Sequence, residues 1–282
     1  MGKTGLIGCE AGRPTASTIS LAFGFPAPPP FVELIQAIYD VAGTAEHADR
    51  LCWDLLGLRA EGASARYEEL TPPELFPIGS TGGDGVHYGY LLHAPELPAD
   101  DYPLGCFLPG NSDGVLYLGC STREAVENIV AYVHREGPGE LSKDAGKVLA
   151  KLGLRIDPAR SKRVRWLEGE RYRRVPPREI PPGYRHVMTR DGVGVLAPEA
   201  AFGNDPLTSL GWHLPPARFI DAAQRAIDLK LEGAALFYLK EGRDRAEVNR
   251  EDPASLEQYR KLIDMLANTY HRLGRGLIAE HV

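Results

Sequence analysis

Cysteine is scarce in this sequence, and long apolar runs are missing. The 282 residues contain four cysteines, Cys9, Cys52, Cys106 and Cys120, and none forms a CxxC pair or has histidine at zinc-finger spacing. Scattered thiols in a chain of this length are typical of reduced, mostly buried cysteines, which excludes a zinc finger and a disulfide-based fold. No apolar run approaches the roughly 20 residues that a membrane-spanning helix requires. Residues 1–8 also lack the apolar region of a secretory signal, so we predict a cytoplasmic protein without a membrane segment.

The chain also lacks a large net charge of either sign, although its charged residues are unevenly distributed along the sequence. The chain has 32 Lys and Arg against 38 Asp and Glu, which gives a net charge of −6. Residues 155–190 contain eleven Lys or Arg and four acidic residues, a local charge of +7, so the remainder carries −13. This basic segment either binds nucleic acid or pairs with acidic parts of the same protein. We favour the second interpretation, because the whole chain is acidic and shows no nucleic-acid-binding motif.

The length and composition favour two globular domains. At 282 residues the chain exceeds one comfortable hydrophobic core, and 43% hydrophobic with 25% charged residues is ordinary globular usage. Residues 1–30 end in Phe-Pro-Ala-Pro-Pro-Pro, which predicts an N-terminal tail or extended arm. We predict an α+β domain over residues 31–154, a basic proline-rich linker or crossing strands over 155–198, and a helical C-terminal domain over 199–282.

The first domain is predicted to combine helices with a small, mainly antiparallel sheet. Apolar residues recur at helical spacing between residues 31 and 56, which indicates two amphipathic helices. Short apolar or aromatic runs bounded by Gly, Pro, Asn or Asp predict strands at residues 86–92, 102–108 and 115–118. Ser121, with Glu124 three residues later, forms a capping box and predicts the start of a closing helix.

The most informative stretch is the glycine-rich loop before the first predicted strand. Its three glycines in four positions allow another molecule to approach closely, and its backbone N–H groups could bind an anion. Asp84 can accept hydrogen bonds or bind a cation, and His87 can transfer protons near neutral pH. A tight turn with a structural role is the other interpretation. The predicted binding residues are Thr81, Gly82, Gly83, Asp84, Gly85, His87 and Tyr88.

Catalysis is an open alternative at the same loop. A hydrolase or transferase, with or without a metal, would use Asp84 and His87. No catalytic triad order, zinc spacing or metal-loop spacing accompanies these residues, so we predict no catalytic residue, metal or cofactor. The acidic pair Asp100–Asp101 is interpreted as a solvated turn rather than a cation site.

Residues 71–89, TPPELFPIGSTGGDGVHYG, resemble uncharacterised bacterial proteins that carry a TGGDGVHY-type box. The order of elements around this box is similar to that of the SUKH superfamily, in which early helices precede a Gly/Asp-rich loop, two strands and a closing helix. The family's usual aromatic-glycine pair ahead of the loop has no clear counterpart here. The matching segments are residues 31–56, the loop, and residues 86–92, 102–118 and 121–134.

This resemblance implies protein binding without catalysis. Many SUKH proteins are bacterial immunity proteins that bind and block toxins, and others are regulatory interaction modules. We therefore expect a bacterial binding or regulatory protein with a protein partner, of which a toxin is one candidate. The loop from Thr81 to Tyr88 is expected to form part of its binding surface.

Overall fold

The chain is divided into two units, each assembled from separate stretches of sequence. The first consists of Met1–Thr71, Leu75–Leu92 and Ala99–Arg178, and the second of Pro72–Glu74, His93–Pro98 and Glu179–Val282. A computed structural model describes residues 13–66, 70–82, 85–97, 99–109, 114–134, 141–156, 174–208, 210–211, 213–249 and 251–282. Two short segments of the second unit, Pro72–Glu74 and His93–Pro98, therefore lie in sequence between stretches that belong to the first unit.

The helices of the first unit follow the apolar spacing and the capping signals of the sequence. They are α1 (Ala16–Phe23), α2 (Pro29–Ala42), α3 (Ala45–Leu56), α4 (Thr122–Val133) and α5 (Lys143–Lys151). The Ser121 hydroxyl accepts a hydrogen bond from the Glu124 N–H at the start of α4 (3.2 Å). The Glu124 carboxylate accepts one in return from the N–H of Cys120 (2.7 Å). The predicted helix start is confirmed, with the return bond one residue earlier than in a standard capping box.

Four antiparallel strands form the sheet of the first unit, in the order β1-β2-β3-β4. In this register Tyr88 lies opposite Cys106, and Gly105 lies opposite Tyr117. The N-terminal helical region packs on this sheet, since the Tyr90 ring centroid lies 5.2 Å from that of Phe31 and 5.4 Å from that of Phe25. The strands are β1 (Leu75–Ser80), β2 (His87–Leu91), β3 (Leu104–Phe107) and β4 (Val115–Gly119).

The second unit combines a short antiparallel hairpin with helices. The hairpin consists of β5 (Tyr184–Val187) and β6 (Val195–Pro198). The helices are α6 (Pro216–Asp228), α7 (Glu232–Arg245), α8 (Pro253–Arg272) and the short α9 (Gly276–Ala279). Helix α7 packs closely on its neighbours at Gly242, where a Cβ would stand 2.7 Å from atoms of both Phe219 and Leu262. A larger residue at this position would force α6 and α8 apart.

The predicted α+β class is confirmed by this arrangement of helices with a four-stranded and a two-stranded sheet. The predicted tail or arm over residues 1–30 is wrong for residues 16–23, which form α1 with Ile19 and Phe23 buried. Asp101 is also not part of a solvated turn. Its side chain is buried and accepts hydrogen bonds from the N–H (2.8 Å) and the hydroxyl (2.6 Å) of Thr122.

Two arginines in the described part of the basic segment contact other residues of the second unit. Arg190 pairs with Asp244 (3.5 Å), and the Arg185 guanidinium lies over the ring of Phe202 at 5.4 Å. Residues 157–173, which contain six of the eleven Lys and Arg residues, lie outside the described residues. The linker or crossing strands predicted over residues 155–198 and the nucleic-acid alternative for residues 155–190 both stay predictions.

Candidate functional site

The glycine-rich loop connects β1 to β2 and uses some of its backbone groups internally. The Thr81 N–H donates to the Val86 carbonyl (2.8 Å), and the Gly85 N–H donates to the Gly82 carbonyl (3.1 Å). These two amides are therefore not available to bind an anion. Gly83 and Asp84, the centre of the predicted site, lie outside the described residues, and the prediction for them stays open.

His87 is buried and held by partners on both ring nitrogens. Its Nδ1 lies 3.1 Å from the Gly85 carbonyl oxygen, and its Nε2 lies 3.1 Å from the hydroxyl of Thr71. Burial lowers the pKa of His87, although the hydrogen bond to the Gly85 carbonyl acts in the opposite direction. The side chain is 0% exposed, and the neighbouring Tyr88 is 5% exposed. In this arrangement both side chains contribute to the core, and of the described loop residues Thr81, Gly82 and Val86 are partly accessible.

Arg59 lies beside this loop because its backbone pairs with the end of β1. Its N–H donates to the Ser80 carbonyl (2.8 Å), and the Ser80 N–H donates back to the Arg59 carbonyl (3.0 Å). The guanidinium carbon of Arg59 lies 5.8 Å from the ring centroid of Trp53 on α3. The same carbon lies 4.0 Å from the position that a Cβ would occupy at Gly82. The guanidinium group therefore lies close to both the indole ring and the glycine-rich loop.

We call the surface formed by Trp53, Arg59, Thr81 and Gly82 the Trp53 patch. Trp53 is 46% exposed, and Arg59 is exposed. A cation over an indole face is attracted by about 0.5–1 kcal/mol at an exposed site, which favours this side-chain arrangement before any partner binds. Among the described residues, no carboxylate lies within 4.0 Å of the Arg59 guanidinium. The patch thus presents a flat aromatic surface and a cation that has no carboxylate partner within the described ranges.

The sequence contained a signal for Trp53 that pattern reading missed. On α3 the buried face is formed by residues such as Leu51, Cys52 and Leu55, and Trp53 lies outside this face. Trp is enriched among the residues that dominate binding at protein interfaces, so an exposed Trp away from the apolar face of a helix is a candidate for binding another molecule. Arg59 offered no such signal, because its position beside the loop results from its pairing with Ser80.

A second cluster of polar groups is buried in the second unit. The ammonium group of Lys240 donates to the Gly194 carbonyl (2.9 Å), lies 3.1 Å from Asp191 Oδ2 and pairs with Glu74 Oε1. The Tyr270 hydroxyl donates to the same Glu74 oxygen over 2.5 Å. The side chains of Lys240 and Glu74 are 1% and 3% exposed. The ammonium therefore has three acceptors, one for each of its N–H groups, as expected for a buried lysine in a structural ion pair.

Asp191 is charged within this cluster. Burial alone would raise its pKa, but the Lys240 ammonium and hydrogen bonds from Thr189 and from the Val193 N–H outweigh it and lower the pKa. Glu74 Oε2 is buried and has no hydrogen-bond partner in the described part of the chain. The cluster lacks an accessible face, so we assign it to stability and not to binding or catalysis.

Comparison with models of known protein families gives no match, and no curated protein matches the sequence either. Within the described ranges, no group of three or more His, Cys, Asp or Glu side chains is placed to hold a metal ion. None of the described helices combines the length and apolar character that crossing a membrane requires. The functional proposal therefore depends on the chemistry of the Trp53 patch and on the sequence resemblance.

Proposed function

We propose that this chain is a non-catalytic binding protein of the SUKH type, which recognises a protein partner through the Trp53 patch and the adjacent glycine-rich loop. The observation that carries the proposal is the position of the Arg59 guanidinium, close to both the exposed indole of Trp53 and the loop at Gly82. Trp and Arg are enriched among the residues that dominate the energy of protein–protein interfaces.

The patch has the properties of a preformed interface centre. The indole supplies a rigid apolar surface, and the planar guanidinium can bind a partner carboxylate with two parallel hydrogen bonds. Because Arg59 already lies over Trp53, less side-chain freedom is lost when a partner binds. The absence of a side chain at Gly82, whose φ of +99° is in the region that favours glycine, leaves room for that partner beside the guanidinium.

The order of elements in the first unit supports the family part of the proposal. Helices α2 and α3 precede the loop, strands β2 to β4 follow it, and α4 follows the sheet. The resemblance implies the same succession of helices, loop, strands and closing helix, with two strands after the loop where this chain has three. By that resemblance we propose a toxin as the first partner class to examine, with regulatory partners as the second.

The burial of His87 speaks against the catalytic alternative. A hydrolase or transferase that uses Asp84 and His87 needs the imidazole to reach a substrate, and this ring is 0% exposed with both nitrogens engaged. We therefore do not propose an acid–base role for it.

Affinity capture from lysate and culture medium of the source organism tests the proposal. We expect the immobilised chain to retain a protein partner that mass spectrometry identifies, and we expect a Trp53→Ala/Arg59→Ala variant to lose it. Arg50→Ala is the matched control, since Arg50 lies on α3, is 74% exposed and pairs with Glu46. Circular dichroism checks that each variant is folded. Equal retention by the double variant and the control would show that the patch is not the binding surface.

A further inference from the structure

A groove between α6 and α8 of the second unit has the size of a ligand site. Its volume is about 440 Å³, and Ile227 of α6 and Met265 of α8 provide its apolar surface. Small-molecule sites in proteins have volumes of roughly 300–1,000 Å³. This groove is separate from the Trp53 patch and from the buried Lys240 cluster, so it requires its own explanation.

The polar groups of the groove favour a ligand with a carboxylate. Asn268 and Arg272 line the groove one helical turn apart, so both side chains lie on the same face of α8. No lining residue is acidic, and the nearby Asp228 accepts a hydrogen bond from the lining residue Gln224 (2.8 Å). In the part of the second unit that the structure describes, no carboxylate lies within 4.0 Å of the Arg272 guanidinium.

The groups that α8 contributes to the groove complement the three parts of a C-terminal peptide residue. Met265, Asn268 and Arg272 are spaced by three and four positions, so an apolar surface, a carboxamide and a cation follow one another along the groove. A carboxamide offers one acceptor and two donors, which suit a peptide group, and a guanidinium binds a carboxylate through two hydrogen bonds. An apolar C-terminal residue carries all three complementary groups: a side chain, a peptide group and a free carboxylate.

We propose that this groove binds the apolar C-terminal residue of a partner polypeptide. The side chain of that residue packs on Ile227 and Met265, its peptide group bonds the Asn268 carboxamide, and its carboxylate binds Arg272. A cation in the last turn of α8 also offsets the helix dipole, so the test separates binding from stability.

Titration of the full chain with N-acetyl-leucine, followed by NMR, provides the test. This probe has the apolar side chain, one peptide group and the carboxylate, whereas N-acetyl-leucinamide differs only by lacking the carboxylate. We expect shifts at Ile227, Met265 and Asn268 with the acid, and about tenfold weaker binding of the amide. Arg272→Gln should weaken binding of the acid by a similar factor. Arg260→Gln, at an exposed position of the same helix, should leave it unchanged.

Three results would overturn the proposal. Equal affinity for N-acetyl-leucine and N-acetyl-leucinamide would show that the groove does not recognise the carboxylate. Unchanged binding to Arg272→Gln, together with a lower melting temperature, would show that Arg272 acts only at the helix end. A free-carboxylate peptide with four alanines before leucine should bind at least as tightly as N-acetyl-leucine, because it carries the same three groups. If it binds more weakly, a small carboxylic acid and not a chain end is the occupant.

Discussion

The hydroxyl of Tyr270 donates a hydrogen bond to Glu74 Oε1 over 2.5 Å, although 196 positions separate the two residues. Glu74 belongs to the short segment Pro72–Glu74, which is part of the second unit, and Tyr270 lies on α8. The same carboxylate pairs with Lys240 on α7. The polar centre of the second unit is therefore incomplete without a segment that precedes β1, and residues 179–282 alone cannot form it.

Replacing Lys240 should strongly destabilise the second unit. Lys240→Met leaves Glu74 and Asp191 buried without their shared cation, and loss of one partner of a buried ion pair costs about 3–5 kcal/mol. We expect the free energy of unfolding in urea to fall by this amount. Lys261→Met, at an exposed position of α8, should change it by less than about 0.5 kcal/mol. Similar values for the two variants would mean that the buried cluster does not stabilise the unit.

Two neighbouring aspartates should differ in their contribution to stability. Asp101→Ala removes the acceptor of two hydrogen bonds from Thr122 at the start of α4, whereas Asp100 is exposed. Hydrogen bonds to a charged group contribute about 1.5–3 kcal/mol, so we expect a loss in that range for Asp101→Ala. Asp100→Ala should stay within about 0.5 kcal/mol of the wild type in the same denaturation experiment. An equally small effect of both would restore the solvated-turn interpretation.

Acidification should destabilise the first unit through His87. Burial lowers the pKa of this histidine below its ordinary value of 6.5. The unfolded chain then takes up a proton at this position before the folded chain does, so the contribution to stability is complete above about pH 6.5 and decreases as the pH falls from there to the folded pKa. His87→Gln should therefore lose less stability than the wild type between about pH 7.5 and pH 5. If the curves of unfolding free energy against pH are parallel for the wild type and His87→Gln, the loss of stability in acid does not come from His87.

Much of the secondary structure was predictable, because the elements follow local signals. The strands β2 and β3 occur within the predicted ranges, β4 extends one residue beyond its range, and α8 occurs in the C-terminal domain that was predicted to be helical. The strand β1 was not predicted, since Pro77 and Gly79 within it are unfavourable for a regular strand. Helix α1 was missed because the proline run that follows it indicated an extended arm.

The boundaries of the two units could not be predicted from the sequence, and neither could the residues that meet in the buried cluster and in the Trp53 patch. Residues 72–74 and 93–98 fall within the predicted first domain, and only long-range contacts assign them to the second unit. Glu74, Asp191 and Lys240 are residue types that usually lie on the surface, and their burial depends on mutual pairing across distant parts of the sequence. The glycine-rich loop was identified from sequence, but its neighbour Arg59 is placed by backbone pairing that no local pattern reveals.

The affinity of the captured partner for Arg59→Ala, measured by calorimetry beside wild type and Arg50→Ala, tests the central claim most directly. If the Trp53 patch is the interface centre, Arg59→Ala should weaken binding by about 30-fold, which corresponds to about 2 kcal/mol, and Arg50→Ala should bind like the wild type. Equal affinities of all three proteins would contradict the claim that Arg59 and Trp53 form the binding surface.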